Sequence, residues 1–557
     1  MKVLSAAEMQ ACDRATSEHF GTPTLDLMRA ASRAVATFAQ SQFPHARRIT
    51  VLCGRGNNGG DGMMAARLLA EAGLEVSTLL LGPPERFAPD AATAWNELQA
   101  SAPASSVHIV ETTADFDKHA ELFHADLLID ALLGTGFQPP LRGLALDALK
   151  LVQASPAKIL AVDLPSGWPA DSTAATEANV FPADAVLTFT APKPAHLFGQ
   201  LTRTWRSPVA VAAIGSPEAA IVSSLGLHWT GSSLTLVQAP RAADANKGSF
   251  GQVLVVGGSF GTGGGKAGAP TMAALAALRS GAGLVTAAVP AAAMPIVASA
   301  ALELMAWPLE AAPHGGITDA NLDPDRLSAL LRRKTVLVLG PGLGQEPETA
   351  RFVLGLLRAS NIPTVLDADA LNILAAHPAL LAEVAQNRTL VLTPHPGEMA
   401  RLTGSTIAEV QAHRLDAARS LAAKLGATVV LKGARTLVAH PDGTAAVNTT
   451  GNPAMAKGGS GDLLAGLVGG LLAQHPHDPA RAVEAAVFLH GLAADLSLGP
   501  GLDDEHTLLA TDTLRALPHA FRTNPFAPVP VGVYVCLAGF LRAPRPDCAH
   551  RQERGPQ

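Results

Sequence analysis

Short apolar runs that stop at a glycine, a proline or a polar cluster recur along most of this chain, with segments of helical period between many of them. RITVLCG, EVSTLLLG, ADLLIDALLG, AKILAVDLP and DAVLTFT form one series. GQVLVVGGS, GLVTAAVP, KTVLVLGPGLG, PTVLDADALN, RTLVLTPHPGE and ATVVLKGART form a second. Strands that alternate with helices predict parallel, doubly wound sheets of the α/β class, with ligands at the carboxyl ends of the strands. At 557 residues the chain is too long for one core. We expect a first α/β domain over 1–217, a linker over 218–239, a second α/β domain over 240–520 and a Pro- and Arg-rich tail of no predicted role over 521–557.

The formal charge of −6 has no basic patch behind it, so neither nucleic acid nor an anionic membrane is the expected partner. The longest apolar runs, Leu463–Ala473 and Val531–Leu541, are too short to span a bilayer. The opening over Ala6–Gln40 reads as helical and its start as amphipathic, not as a signal peptide. Cys12, Cys53, Cys536 and Cys548 have neither disulfide nor metal spacing. A cytoplasmic homo-oligomer is expected.

Two glycine-rich segments carry chemistry. Residues 451–474, GNPAMAKGGSGDLLAGLVGGLLAQ, run from a turn into a long apolar helix pattern. Gly458, Gly459 and Gly461 let the backbone turn sharply beside a ligand, and the free N–H groups of the helix start suit a phosphate. Asp462 in the first turn could then take the proton of a hydroxyl attacking a phosphoryl group. Residues 54–62, GRGNNGGDG, stand between a strand and a helix. Gly54, Gly56 and Gly59 satisfy a dinucleotide pattern; Asn57, Asn58, Gly60 and Asp61 make it more specific. Asp130, Asp163 and Ser166 lie at later strand ends, and oxygen groups of this kind suit a hard cation. Each aspartate alone reads more often as a turn former or helix cap; three such sites on successive strand ends of one sheet make the two readings about even. Residues 260–267 are not a P-loop: Lys266 is followed by Ala267, and the first required glycine falls at Phe260.

With GRGNNGGDG, Asp130, Asp163 and Ser166, the first half resembles the NAD(P)H-hydrate epimerase domain, a Rossmann-like three-layer α/β/α fold. The resemblance implies that Asn57, Asn58, Gly59, Gly60 and Asp61 contact a damaged nicotinamide nucleotide. Gly134, Thr135, Gly136, Phe137, Gln138, Pro139 and Pro140 would contact its pyrophosphate. Asn58, Asp130 and Ser166 would bind potassium, and Asp163 would be the substrate-contacting acid or base. Lys193 is a weaker candidate, which by itself reads as an exposed loop lysine. With TPHPGE, KGART and GNPAMAKGGSGD, the second half resembles the ADP-dependent NAD(P)H-hydrate dehydratase, of ribokinase-like α/β/α fold. There Ala269, Gly342, Gly344 and His395 would line the hydrate. Lys432, Gly433, Ala434, Arg435, Thr436 and Gly461 would hold ADP or AMP, with Asp462 as base. Asp367 and Asp369 could support Mg²⁺ through water, or merely cap a helix.

Together the halves imply a repair enzyme. One half interconverts the R and S hydrates. The other phosphorylates the C6 hydroxyl of the S form from ADP and eliminates phosphate, releasing AMP. The nearest rival is a ribokinase-like vitamin-precursor kinase with a fused non-catalytic nucleotide-binding domain. A sensor module or an NAD-dependent oxidoreductase has less behind it: no hydride-transfer constellation is evident.

Overall fold

The computed structural model describes residues 1–101, 106–499, 502–524 and 534–541. They form two compact units, one from 1–225 with the chain after 523, the other from 226–523. No helix among the described residues is long and apolar enough to cross a membrane.

The first unit is built on an eight-stranded sheet in the order 534–538, 209–212, 185–189, 158–162, 127–131, 48–53, 75–81, 107–110. All neighbours are parallel except the first pair. From the strand Arg48–Cys53 the chain winds outward to 107–110, then returns to the other side at Leu127–Ala131. Cys53 and Ala131 are in register, so the crevice where the winding reverses opens beyond these two residues. The sheet's side chains are almost wholly apolar; Val51, Ile129, Leu160 and Leu187 are fully buried.

The opening is two helices, Ala6–Glu18 and Thr24–Gln42, not one. Gly21 at φ +73° and Pro23 break the apolar period between them. Part of the segment expected as a tail folds. Tyr534–Ala538 pairs antiparallel with Val209–Ala212, and the Tyr534 hydroxyl donates to the Ala34 carbonyl at 3.1 Å. Its Pro- and Arg-rich surroundings hide this apolar run in composition, but the free sheet edge supplies its backbone partners. Residues 525–533 and 542–557 of that segment, with Cys548, lie outside the described residues.

The second unit carries a ten-stranded sheet in the order 305–309, 284–290, 252–256, 336–339, 364–366, 390–392, 428–431, 437–439, 445–447, 227–229. Its reversal point lies between Gln252–Val256 and Val336–Leu339, with Val256 opposite Leu339. Within the segment expected as a linker, Leu227–Trp229 is the edge strand and Trp229 is fully buried. The helix Ser460–Gln474 crosses Gly268–Arg279 so closely that a Cβ on Gly466 would come within 2.0 Å of the Ala273 carbonyl. The glycines of AGLVGGLL permit that crossing.

Candidate active sites

In the first unit the glycine run does more than turn. The helix already begins at Asn57 and continues to Glu71. A Cβ on Gly59 would come within 1.9 Å of the Gly54 carbonyl, and one on Gly62 within 2.5 Å of the Ala131 side chain. Glycine is therefore required to seat the helix start on the crevice, which leaves its free N–H groups facing the opening. Asn57, Asn58, Asp61, Gly134–Pro140, Asp163 and Lys193 line one cavity of about 1210 Å³. Gly59 and Gly60 are buried behind it, Gly60 against Met28.

Asp163 has φ +66°, a left-handed conformation that is strained for a non-glycine residue. Its Oδ1 accepts from Lys193 Nζ at 2.8 Å and from Thr188 Oγ1 at 2.9 Å; its Oδ2 accepts from the Thr135 N–H at 3.0 Å. A Cβ on Gly134 would lie 2.9 Å from Oδ2 and 3.3 Å from Asn58 Cγ, so glycine leaves room beside the carboxylate. Lys193 is 1 % exposed, not a loop lysine in water. Burial pushes the Asp163 carboxyl up, but the Lys193 ammonium and the hydrogen bonds outweigh it and hold it below its ordinary value.

His196 fixes this arrangement from behind. Its Nδ1 accepts from the Lys193 N–H at 3.0 Å, so its Nε2–H donates to the Asp163 carbonyl at 2.8 Å. Burial, then Lys193, drives its pKa down to about 4, so it stays neutral. Asp13 also lines the cavity and is pushed up to about 6, first by burial, with the Asp163 charge adding to the rise. Asp61 is raised well above its ordinary value by burial and by Asp163 and Asp13. Sequence reasoning missed Asp13 and His196. The spacing Lys193-x-x-His196 was the available signal, since it closes a turn.

Asp130 and Ser166 sit beneath the cavity floor. Ser166 donates to Asp130 through Oγ at 2.6 Å and through its N–H at 2.8 Å, and its Oγ accepts from the Leu133 N–H at 3.0 Å. Asp130 is 1 % exposed, with no lysine or arginine against it among the described residues, and burial pushes it up to about 6. The side-chain amide of Asn58 has a buried Nδ2 with no hydrogen-bond partner.

In the second unit DADALN, KGART and GGSGD, which follow three different elements, come together. Lys432 follows the strand Thr428–Leu431 and ion-pairs with Asp367 at 2.7 Å, with Glu398 at 3.8 Å. A Cβ on Gly461 would lie 3.4 Å from Lys432 Nζ, so KGART and GGSGD share one place. Gly459 at φ +98° starts the helix, and Asp462 in its first turn accepts no hydrogen bond from the described residues. Burial, Asp367 and Asp369 push Asp462 up to about 7 against the pull of Lys432. Asp367 stands at the N-cap position of the following helix without a side-chain capping bond; its Oδ1 accepts from Thr393 Oγ1 at 2.7 Å instead. Asp369 accepts from the Gly344 N–H at 2.9 Å and from Gln345 at 3.0 Å. Gly342, at φ +69°, packs on Lys266 and Ala269.

His395 caps the helix Pro396–Thr403 by accepting from the Gly397 N–H at 2.9 Å, and Glu398 closes the capping box. Its ring is half exposed. Arg435 turns away from this cluster, donating to the Thr449 carbonyl at 3.1 Å, and the Thr436 hydroxyl closes a local turn onto Gly433. Ala434 is exposed. Glu398 and Thr393, which hold the Lys432–Asp367 pair from its other side, had no sequence signal beyond the TPHPGE motif itself.

The chain matches two families of known proteins. Residues 253–517 match the family described as NAD(P)H-hydrate dehydratase, and residues 24–195 the one described as YjeF-related protein N-terminus. It is 39 % identical over 537 residues to a bifunctional NAD(P)H-hydrate repair enzyme of Moorella thermoacetica, covering 94 % of this chain and 97 % of that one. It is 36 % identical over 510 residues to the Escherichia coli K12 protein of the same name, covering 88 % of each. Among solved structures, an ADP/ATP-dependent NAD(P)H-hydrate dehydratase of Bacillus subtilis is 31 % identical, with 52 % of this chain and 96 % of that chain covered and a TM-score of 0.41. The chain belongs to the family of bifunctional NAD(P)H-hydrate repair enzymes.

Proposed function

We propose that the two activities of this family reside in two separate sites: epimerisation in the 1–217 cavity, and ADP-dependent dehydration at the Lys432–Asp462 cluster of the 240–520 domain. The observation that carries the reading is the convergence of Lys432, Asp367, Gly461 and Asp462 at one helix start, with Asp462 raised to about 7. A carboxylate with that pKa is matched to taking a proton near neutrality.

At this site Asp462 removes the proton of the C6 hydroxyl as its oxygen attacks the terminal phosphorus of ADP, and AMP departs. The free N–H groups of the GGSGD helix start and the Lys432 ammonium stabilise the charge on the transferring group. The C6–phosphate bond then breaks, a proton leaves the neighbouring ring carbon, and the dihydronicotinamide is restored. Ala269, Gly342, Gly344 and His395 line the hydrate; Lys432–Thr436 and Gly461 hold the adenine nucleotide. Asp367 and Asp369 fit Mg²⁺ through water, because two carboxylates beside Asp462 raise the negative charge that a divalent cation would offset. Bound there, Mg²⁺ would neutralise phosphate charge.

In the first domain, Asn57–Asp61 and the loop Gly134–Pro140 hold the nucleotide. Asp163, kept ionised by Lys193, moves the proton that accompanies ring opening or loss of water at C6. Asp130, Ser166 and Asn58 fit potassium. A buried carboxylate without a cationic partner is what a bound cation would complete, with Asn58 joining through its amide oxygen, and the ion would anchor the loop after Ala131.

The test is recovery of the reduced-nicotinamide absorbance from mixed NADH-hydrate epimers with ADP, Mg²⁺ and K⁺. Full recovery faster than spontaneous epimerisation is expected. Recovery of about half at the enzymatic rate would remove the first site from catalysis. No recovery with ADP or ATP would favour the vitamin-precursor kinase.

A further inference from the structure

A second cluster of the second unit takes no part in either site. His228 lies in the edge strand Leu227–Trp229, His440 directly follows the strand Leu437–Ala439, and Glu484 is on the helix Pro479–Ser497. Both imidazole Nε2 atoms point at the same oxygen, Glu484 Oε1, at 2.7 and 2.8 Å. The three donor atoms lie within 4.8 Å of one another. Glu484 is 2 % exposed and His440 is buried, and no lysine or arginine pairs with this carboxylate among the described residues.

We propose that His228 Nε2, His440 Nε2 and Glu484 Oε1 form a zinc-binding site. Two imidazoles and one carboxylate are a zinc-type donor set, and they are poor ligands for Mg²⁺, which demands oxygen. Tetrahedral coordination needs neighbouring donors ~3.3 Å apart, so the two imidazole–carboxylate pairs at 2.7 and 2.8 Å open by roughly 0.6 Å to admit the ion, while the two imidazole nitrogens lie within 4.8 Å of each other. The outer contacts are in place. Glu484 Oε2 accepts from Ser233 Oγ at 2.5 Å, and His440 Nδ1 lies 3.3 Å from Thr428 Oγ1. When the metal takes Nε2, the imidazole proton moves to Nδ1, which for His440 then donates to that hydroxyl. His228 keeps 28 % of its side chain exposed, which leaves a path for the ion and a fourth position for water.

The cluster is distinct from the Lys432 site by topology. Thr428, against which His440 rests, begins the strand that ends before Lys432, four residues or about 13 Å along it. A metal here would tie the edge strand, the 437–447 hairpin and the helix Pro479–Ser497 together. Its role would be to hold that edge, not to take part in phosphoryl transfer.

The full-length protein, stripped with chelator and dialysed, is titrated with ZnCl₂ by calorimetry and with CoCl₂ by visible absorbance. One equivalent of zinc, four-coordinate Co²⁺ bands displaced by zinc, and no competition from excess MgCl₂ are expected. His228→Asn, at the most exposed position of the three, should weaken zinc binding on the order of 100-fold or more. His440→Asn should do the same. Zinc should raise the melting temperature of the parent protein and not of His228→Asn. Absence of zinc uptake by the parent, or uptake unchanged in both variants, would overturn the site.

Discussion

Asp163 and Asp462 are the same side chain in opposite surroundings. Asp163 is buried against an ammonium at 2.8 Å, accepts three hydrogen bonds and is held below its ordinary pKa. Asp462 is also largely shielded from water but accepts no hydrogen bond from the described residues, faces two further carboxylates and is raised to about 7. Burial pushes both upward; what differs is whether a cation lies within ion-pair distance. A carboxylate kept ionised can shuttle a proton in either direction around a neutral ring. A carboxyl poised near 7 is the stronger base once ionised, which suits activation of a hydroxyl for attack on phosphorus.

The largest effect comes from exchanging each aspartate for its amide. Asp462→Asn should lower ADP-dependent dehydration on the order of 10³-fold and leave epimer interconversion unchanged. Asp163→Asn should do the reverse. Chromatography of the epimers without ADP and absorbance recovery with ADP read the two separately, and parallel loss of both activities in either variant would break the two-site comparison.

The same Asp462→Asn variant should be more stable than its parent. The folded carboxyl titrates near 7 against 3.8 unfolded, so parental stability falls as pH rises between those values and stays low above them. The variant's advantage should therefore grow from pH 5 to pH 8, towards an upper bound of about 4 kcal/mol. A denaturant midpoint that does not move between these pH values would show that Asp462 is not raised.

Lys193→Met sharpens the contrast by giving Asp163 surroundings like those of Asp462. Without the ammonium, burial prevails and the carboxyl pKa rises. Epimerase activity at pH 7 should fall on the order of 10²-fold and recover in part at higher pH, with dehydration untouched. Loss with an unaltered pH profile would leave Lys193 a packing role only.

The smallest effect needs no substitution. Because the base must be ionised, dehydratase kcat/KM at limiting hydrate should fall about tenfold per pH unit below about 7. The epimerase should show no loss in that range attributable to Asp163. A dehydratase rate flat from pH 8 to pH 5 would remove Asp462 as the base.

Much of this was legible in the chain. RITVLCG, ADLLIDALLG, GQVLVVGGS and KTVLVLGPGLG are four of the central strands, because a strand buried on both faces leaves a continuous apolar run. The edge strands Leu227–Trp229 and Tyr534–Ala538 were not legible. Each is short, sits among polar or proline-rich sequence, and exists because an open sheet edge offers it hydrogen bonds. The start of the 57–71 helix was placed too late, since its first turn is asparagine and glycine, which local propensity assigns to a loop. Lys193 was undervalued for the same kind of reason: nothing local distinguishes a lysine in water from one buried against an aspartate thirty residues away.

The sequence by itself determined the class of fold, the reversal loops and the residue types of both sites. Apolar period and glycine position are local properties, and parallel winding sends successive strand ends to one side. Only the tertiary structure decided the charge state of each site. It brought Lys193 to Asp163 and Lys432 to Asp367, left Asp462 facing carboxylates, and gathered His228, His440 and Glu484 from three separate elements. Electrostatic effects depend on distance through space and on exclusion of water, and neither is written in the spacing of residues along a chain.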